Sequence, residues 1–147
     1  MQITIEAHEL PGRRFVSDGA PLGNVHVGVQ IGKEPAGLTR ADAASARWSV
    51  DVRTVIADDG AVDLRGPAVH GGRGERFLYL TWGDVGDDGS FSMFRRAKLM
   101  VAGIEPDLLA AAAVGGGSLV ATIGLTDECG GPRCARVRPP AISWRAG

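Results

Sequence analysis

Apolar and polar residues alternate with a period of two in three separate segments of the chain, residues 2–10, 24–31 and 47–56. In the second segment, every odd position from 25 to 31 is valine or isoleucine. A strand turns successive side chains to opposite faces, so this period is typical of a strand with one buried face. The three segments are therefore predicted to be half-buried strands.

Glycine and proline punctuate the rest of the chain and bound further segments. Residues 76–82 are apolar on both faces, as expected of a central strand, and the turn sequence at 87–90 predicts a hairpin that returns through 91–101. One short helix is predicted near 105–114, because a proline suits its first turn and three glycines follow it. Further strands are predicted at 62–69, where Gly66-Pro67 indicates an edge or a bulge, at 118–126 and at roughly 135–144.

About eight short strands and one late helix predict a mainly β fold, an antiparallel β-barrel or a β-sandwich. The length of 147 residues is that of one ordinary domain. Residues 1–147 are therefore predicted to form a single β-rich domain.

The charge balance of the chain excludes some classes of partner. Sixteen basic and 17 acidic residues leave a net charge of −1, whereas domains that bind duplex nucleic acid usually carry a marked basic excess. No stretch approaches the roughly 18 apolar residues of a membrane span, and the N-terminal residues lack the pattern of a signal peptide. We therefore expect a cytoplasmic protein that contacts neither nucleic acid nor a membrane.

Motifs for a metal, a nucleotide or a nucleophile are weak. Cys129 and Cys134 have no second pair to complete a zinc site, so two free thiols are the simpler interpretation and a zinc ion shared with distant histidines is the alternative. The glycine-rich loop at 70–76 leads into a strand rather than into a helix that could bind phosphate, although its arginines can attract an anion. We expect no metal and no cofactor. The chain has three histidines, and no two of them have the close spacing of a metal-ligand pair. They are His8, His26 and His70.

The polar face of the predicted strand at 24–31 carries His26 and Gln30, and Gly28 leaves room above the sheet. On the outside of a sheet these are ordinary surface residues. If the sheet closes into a barrel, they line its lumen, where His26 is a candidate acid or base and Gln30 a candidate substrate contact.

Arg95 is unusual because it shares the predicted apolar face of residues 91–101. A charge in such a place is costly unless it is paired. Two interpretations follow: Arg95 forms an ion pair with a buried carboxylate, or its guanidinium binds a carboxylate or enolate of a ligand. The candidate partners in the first interpretation are Asp51, Asp63 and Asp84.

Three aromatic residues, Trp48, Trp82 and Tyr79, are candidate walls of a substrate site. Most strand tryptophans pack in a core, yet Trp82 ends the most apolar predicted strand, where we expect the mouth of a pocket. Tyr79 alternates onto the face of Phe77 and is either a packed core residue or a proton donor.

Several segments together resemble an actinobacterial family of small single-domain proteins that carries a domain-of-unknown-function label. The resemblance covers nearly the whole chain and implies one domain and an actinobacterial host. It implies no activity, cofactor or catalytic residue. The matching segments are 10–12, 24–30, 65–67, 74–83, 91–100, 124–127 and 134–142.

Taken together, the residues predict a small-molecule-binding β-barrel that acts as a cofactor-independent cyclase or isomerase in actinobacterial secondary metabolism. Such a reaction needs only a shaped dry cavity with a few polar groups. His26 and Arg95 are the predicted catalytic residues, and Trp48, Trp82, Gln30 and Tyr79 the predicted substrate contacts. The alternative is a non-catalytic ligand carrier or protein-binding module. An exposed strand edge near Gly66-Pro67 would allow such a module to form a homodimer.

Overall fold

The structure, a computed structural model, describes residues 1–8, 25–41, 43–124 and 141–147. These residues form ten strands and one α-helix, α1 (Pro106–Val114). The strands are β1 (Gln2–Ala7), β2 (Val25–Ile31), β3 (Glu34–Arg40), β4 (Ala46–Asp51), β5 (Arg53–Ile56), β6 (Val62–Arg65), β7 (Phe77–Val85), β8 (Phe91–Met100), β9 (Ser118–Gly124) and β10 (Ala141–Ala146).

The strands are arranged as two four-stranded sheets and one hairpin. The first sheet has the order β10-β9-β1-β4 and the second the order β3-β2-β7-β8, while β5 and β6 form the two-stranded hairpin. The described strand pairs are antiparallel, except that β1 and β9 run parallel. A parallel pair needs a long crossover connection, and here most of the chain lies between its two strands.

Both four-stranded sheets bury one face in a common hydrophobic core. Ile3 and Ile5 of the first sheet belong to the same core as Leu78, Leu80 and Trp82 of the second, and all five side chains are buried. Burying one such side chain stabilises the fold by roughly 1.5–3 kcal/mol. The mainly β prediction is confirmed, and of the two predicted architectures the sandwich is the one observed. Among the described strands, the end strands of each sheet do not pair with each other, so neither sheet closes into a barrel.

Strand β3 was not predicted from the sequence, because Pro35 and Gly37 interrupt its alternation. It follows β2 through a tight turn in which Gly32 has a φ of 59°, a conformation that glycine adopts without strain. The pairing of β2 with β3 then shifts register between Val27 and Val29. A bulge of this kind hides a strand from a search for a strict period of two.

The strand predicted at 47–56 is divided at Val52 into β4, in the first sheet, and β5, in the hairpin. The Val52 amide donates to the Met1 carbonyl at 2.9 Å, and the Met1 amino group donates to the Val52 carbonyl at 3.2 Å. Val52 itself is buried. The chain leaves the first sheet at this anchored residue, and β5 then pairs with β6.

A register shift between Trp82 and Gly83 interrupts the pairing of β7 with β8. Such a bulge inserts a residue into one strand and moves the following side chains to the opposite face. Met93 and Ala97 are four residues apart and would share one face of a regular strand. Because of the bulge, Ala97 is buried while Met93 is exposed. The apolar face that residues 91, 93, 97, 99 and 101 are predicted to share with Arg95 is therefore interrupted at this bulge.

The predicted helix is confirmed as α1, with a proline in its first turn and Gly115 at its C-terminal cap. It packs against β6, β9 and β10 and leaves much of its surface exposed. No helix in the described ranges is long and apolar enough to cross a membrane. The N-terminal part of the strand predicted at 135–144 lies outside the described residues, as do Cys129 and Cys134.

We predict that Leu80→Ala lowers the free energy of unfolding by about 2–5 kcal/mol, because it removes a fully buried side chain and leaves a cavity. Leu38→Ala is the matched control, since Leu38 is 39% exposed on the same sheet. Urea denaturation of both variants measures the two effects. Equal losses would contradict the assignment of the inner face.

Candidate functional site

Two of the predicted site residues, His26 and Gln30, lie on the outer face of the second sheet. Along β2, Val25, Val27 and Val29 are buried in the core, and the two polar side chains alternate with them and are half-buried. Because the sheet is not closed, this face is the outside of a sandwich layer rather than a lumen. The catalytic role of His26 stays a prediction.

The room expected above Gly28 is filled by β3. A Cβ atom built at Gly28 lies 2.7 Å from the Ala36 carbonyl oxygen and 3.1 Å from Leu38 Cδ2. The first distance is too short for a real contact, so the glycine permits close packing of β3 rather than a ligand. The register shift in this strand pair brings the Ala36 carbonyl into that position.

His70 contacts two of the predicted substrate contacts, the backbone of Gln30 and the ring of Tyr79. His70 Nε2 donates to the Gln30 carbonyl oxygen at 3.3 Å, and the His70 ring centroid lies 5.2 Å from that of Tyr79. Phe77 packs edge-on against Tyr79 at 4.7 Å and stacks on His70 at 5.9 Å. We call these three rings, His70, Phe77 and Tyr79, the aromatic cluster.

Two cations cover the aromatic cluster. The Arg96 guanidinium lies 5.1 Å from the Tyr79 ring centroid, and Lys98 Nζ lies 4.5 Å from that of Phe77. Such contacts stabilise a surface by roughly 0.5–1 kcal/mol each. Because the cations occupy ring faces that a planar ligand needs for stacking, the cluster is a packed surface rather than an open binding platform.

The two tryptophans predicted as cavity walls lie in the core between the sheets. Trp48 and Trp82 are both buried, and Trp48 Nε1 donates to the Gly37 carbonyl at 2.8 Å. Gly37 has a φ of 63°, and a Cβ atom there lies 2.7 Å from Trp48 Cδ1, so only glycine fits against this ring. Of the two interpretations of these tryptophans, their surroundings favour core packing.

Arg95 pairs in register with Trp82, next to the bulge. Its side chain lies outside the described structure, so both interpretations of Arg95 stay open. One of its three predicted partners, Asp63, forms ion pairs with Arg65 and Arg76.

A cleft of about 260 Å³ lies beside the β5–β6 hairpin, and none of the predicted site residues whose side chains the structure describes lines it. The short 3-10 turn Val101–Gly103 and the first turns of α1 form its other sides. Asp63 and Arg76 are the charged residues in its lining. Most of the remaining wall is apolar and consists mainly of Val62, Leu64, Val101, Ile104, Pro106 and Leu109.

Backbone hydrogen bonds hold Arg76 at the edge of this cleft. His70 and Phe77 exchange both of their backbone hydrogen bonds, at 2.9 and 3.0 Å, and so close the loop that precedes β7. The Val101 amide donates to the Arg76 carbonyl at 3.0 Å, which ties this position to the end of β8. The guanidinium is thereby directed from a fixed backbone toward β6.

Arg76 and Asp63 form a two-point ion pair. Arg76 Nε donates to Asp63 Oδ1 at 3.0 Å, and Nη2 donates to Oδ2 at 3.1 Å. Arg76 Nη1 donates to the Gly71 carbonyl, and Arg65 Nε adds a further bond to Asp63 Oδ2 at 3.1 Å. The side chains of Arg76 and Asp63 are only 18% and 11% exposed. Paired donors and acceptors of this kind fix the plane of the guanidinium as well as its position.

The arginines lower the pKa of Asp63. The hydrogen bond from Arg76, with that from Arg65, lowers the pKa of Asp63 from 3.8 to about 2, against the opposing effect of burial. Asp63 is therefore a carboxylate at neutral pH and a weak base. The same bond raises the pKa of Arg76, so the guanidinium keeps its proton.

No local sequence pattern marks this pair as a site. Asp63 and Arg76 are thirteen residues apart, and no local motif links them. The one available signal was the loop at 70–76, whose arginines were expected to attract an anion. Within the described ranges, no three potential metal ligands lie close enough together to hold an ion.

We predict that Asp63→Asn lowers the free energy of unfolding at neutral pH by about 1–3 kcal/mol, because a half-buried charged hydrogen bond is lost. The folded pKa of about 2 lies below 3.8. The stabilisation is therefore present above pH 3.8 and disappears as the pH falls toward 2. Denaturant titrations at several pH values should show the difference from wild type shrinking in that window. Asp87→Asn, in an exposed turn, is the control, and a difference independent of pH would contradict the prediction.

Comparison with known proteins places this chain in a family without assigning it an activity. No curated protein and no solved structure matches it. A family model covers residues 1–147, and its description is "Family of unknown function (DUF5990)". The resemblance to a family with a domain-of-unknown-function label is thus confirmed, and the chain belongs to DUF5990, a family of unknown function.

Proposed function

We propose that the protein binds a small molecule with an apolar body and an anionic group in the cleft beside the β5–β6 hairpin. The observation that carries this proposal is the half-buried Arg76 guanidinium, held rigidly at the edge of a mostly apolar wall. Ligand sites typically combine an apolar lining with a few fixed polar groups.

The unused N–H donors of Arg76 are the reason for proposing an anionic group in the ligand. A guanidinium has five N–H donors, and three of those of Arg76 are engaged by Asp63 and Gly71 within the described chain. Two guanidiniums, those of Arg65 and Arg76, face the single carboxylate of Asp63, so the group has a net positive charge. A ligand carboxylate balances this charge and accepts the remaining hydrogen bonds.

The size and lining of the cleft support a compact, partly apolar ligand. A volume of about 260 Å³ is just below the usual range of ligand pockets, roughly 300–1,000 Å³, and suits only a small ligand. The apolar wall, with Leu109 and Ile104 on one side and Val62 on another, suits a ring or a short alkyl chain. Phenylacetate combines such a body with one carboxylate and is a suitable probe.

The cleft supports binding more directly than catalysis. Asp63 is a weak base because of its low pKa, and the Arg76 guanidinium keeps its proton. His26 does not line the cleft. The geometry therefore favours the ligand-carrier alternative, and the cyclase or isomerase reaction with His26 and Arg95 stays a prediction.

Leu109→Trp is expected to abolish phenylacetate binding, because the larger side chain fills the cleft that Leu109 lines. Leu38→Trp makes the same exchange on the outer face of the second sheet and should bind like wild type. Isothermal titration calorimetry measures both. Unchanged binding by Leu109→Trp would show that the ligand lies elsewhere.

Arg76→Gln should weaken phenylacetate binding by roughly ten- to a hundredfold, because a charged hydrogen bond to the ligand is lost. Binding of the neutral analogue phenylacetamide should change little. Arg73→Gln, an exposed arginine in the same loop that does not line the cleft, is the control. If the Gln variant is poorly folded, Arg76→Lys keeps the charge and removes the paired donors. Equal effects at positions 73 and 76 would exclude a specific role for Arg76.

A further inference from the structure

Within the part of the chain that the structure describes, the outer edge of β5 is open. β5 pairs with β6 on one side, and no other described strand pairs with it. The Ala57 amide donates to the opposite Ala61 carbonyl at 2.8 Å, so Val55 and Asp63, two residues along, are also a hydrogen-bonded pair. The backbone groups of Thr54 and Ile56 therefore point away from β6.

The backbone groups of Val52, which precedes β5, point in the same direction as those of Thr54 and Ile56. Val52 is two residues before Thr54 along the strand direction, so its backbone groups face the same side. Its amide and carbonyl both bond to Met1, on the side away from β6. The outer edge of β5 therefore lies on the same side of the chain as the edge of β4 that pairs with β1. The next outward backbone amides and carbonyls after those of Val52 belong to Thr54 and Ile56.

Two adjacent apolar side chains flank this open edge. Val55 is 43% exposed and Ile56 is 54% exposed, and because they are neighbours in a strand they extend to opposite faces. An open edge with exposed apolar side chains is a template for the addition of another strand.

We propose that β5 pairs antiparallel with β5 of a second copy of this chain, with Val55 on the two-fold axis. In this register, Thr54 of each copy faces Ile56 of the other, and all outward donors and acceptors of both residues are used. Arg53 lies at one end of the strand, and Asp58 and Asp59 follow the other end. Antiparallel pairing brings these opposite charges together at both ends, whereas parallel pairing places like charges side by side.

A second copy is favoured over another protein because β5 is complementary to itself. The same short segment supplies the hydrogen bonds, the apolar contacts and both signs of charge, as a two-fold interface requires. A strand of four residues buries less surface than a permanent dimer needs. We therefore expect a reversible dimer that forms as the protein concentration rises. This inference does not depend on ligand binding in the cleft.

Cysteine cross-linking tests both the pairing and its register. The two Val55 residues form a non-hydrogen-bonded pair with Cα atoms about 4.5 Å apart, within the range that a disulfide spans. The two Ile56 residues are diagonal neighbours at about 7–8 Å, which is too far. Val55→Cys should therefore form a disulfide-linked dimer under mild oxidation, while Ile56→Cys should form at least tenfold less, although Ile56 is the more exposed of the two.

Peptide mass spectrometry identifies a bond between the two introduced residues, distinct from any formed by the native cysteines. In sedimentation velocity, the wild-type mass should rise from 15.3 kDa toward twice that value with concentration, and Val55→Lys should remain monomeric. Wild type that stays monomeric at all concentrations would overturn the proposal. Cross-linking of Ile56→Cys as strong as that of Val55→Cys would overturn it too, because it excludes the register.

Discussion

The common core of the two four-stranded sheets determines where every other part of the molecule lies. Each sheet has one face of valine, leucine, isoleucine and tryptophan side chains that has to be removed from water, and each provides the cover for the other. Once these faces are joined, the β5–β6 hairpin and α1 lie beside the sandwich rather than inside it. The cleft forms there, between the hairpin, the turn after β8 and the start of α1.

The ion pair of Arg76 and Asp63 links this added layer to the sandwich. Arg76 belongs to the segment that enters β7, and Asp63 belongs to β6 of the hairpin, so their two hydrogen bonds join parts of the chain that share no ladder. The same pair places a fixed guanidinium at the edge of an apolar wall. Structure and proposed function therefore share one contact, because the arginine that binds the hairpin through Asp63 also has the donors that suit an anion.

The elements that the sequence predicted well are those whose signal is local. Strands β1 and β2 follow from strict alternation, and α1 follows from a proline before it and glycines after it. The features that it did not predict arise from long-range contacts. The bulge at Trp82 and Gly83 depends on how β7 meets β8, and no spacing rule pairs Asp63 with Arg76. For the same reason the sequence did not indicate the cleft. Of the predicted substrate contacts, the Tyr79 ring and the Gln30 backbone both contact His70, but on a packed outer face and not in a cavity.

An amide-resolved NMR titration of the wild-type protein with phenylacetate tests the central claim most directly, because it shows where the ligand binds as well as whether it binds. The account predicts that the largest shifts fall on residues that line the cleft, around Leu64, Arg76, Ile104 and Leu109, and that phenylacetamide produces much smaller ones. Shifts centred instead on the outer face of the second sheet, around Tyr79 and Lys98, would contradict it. So would the absence of any shift at ligand concentrations that saturate weak binding sites.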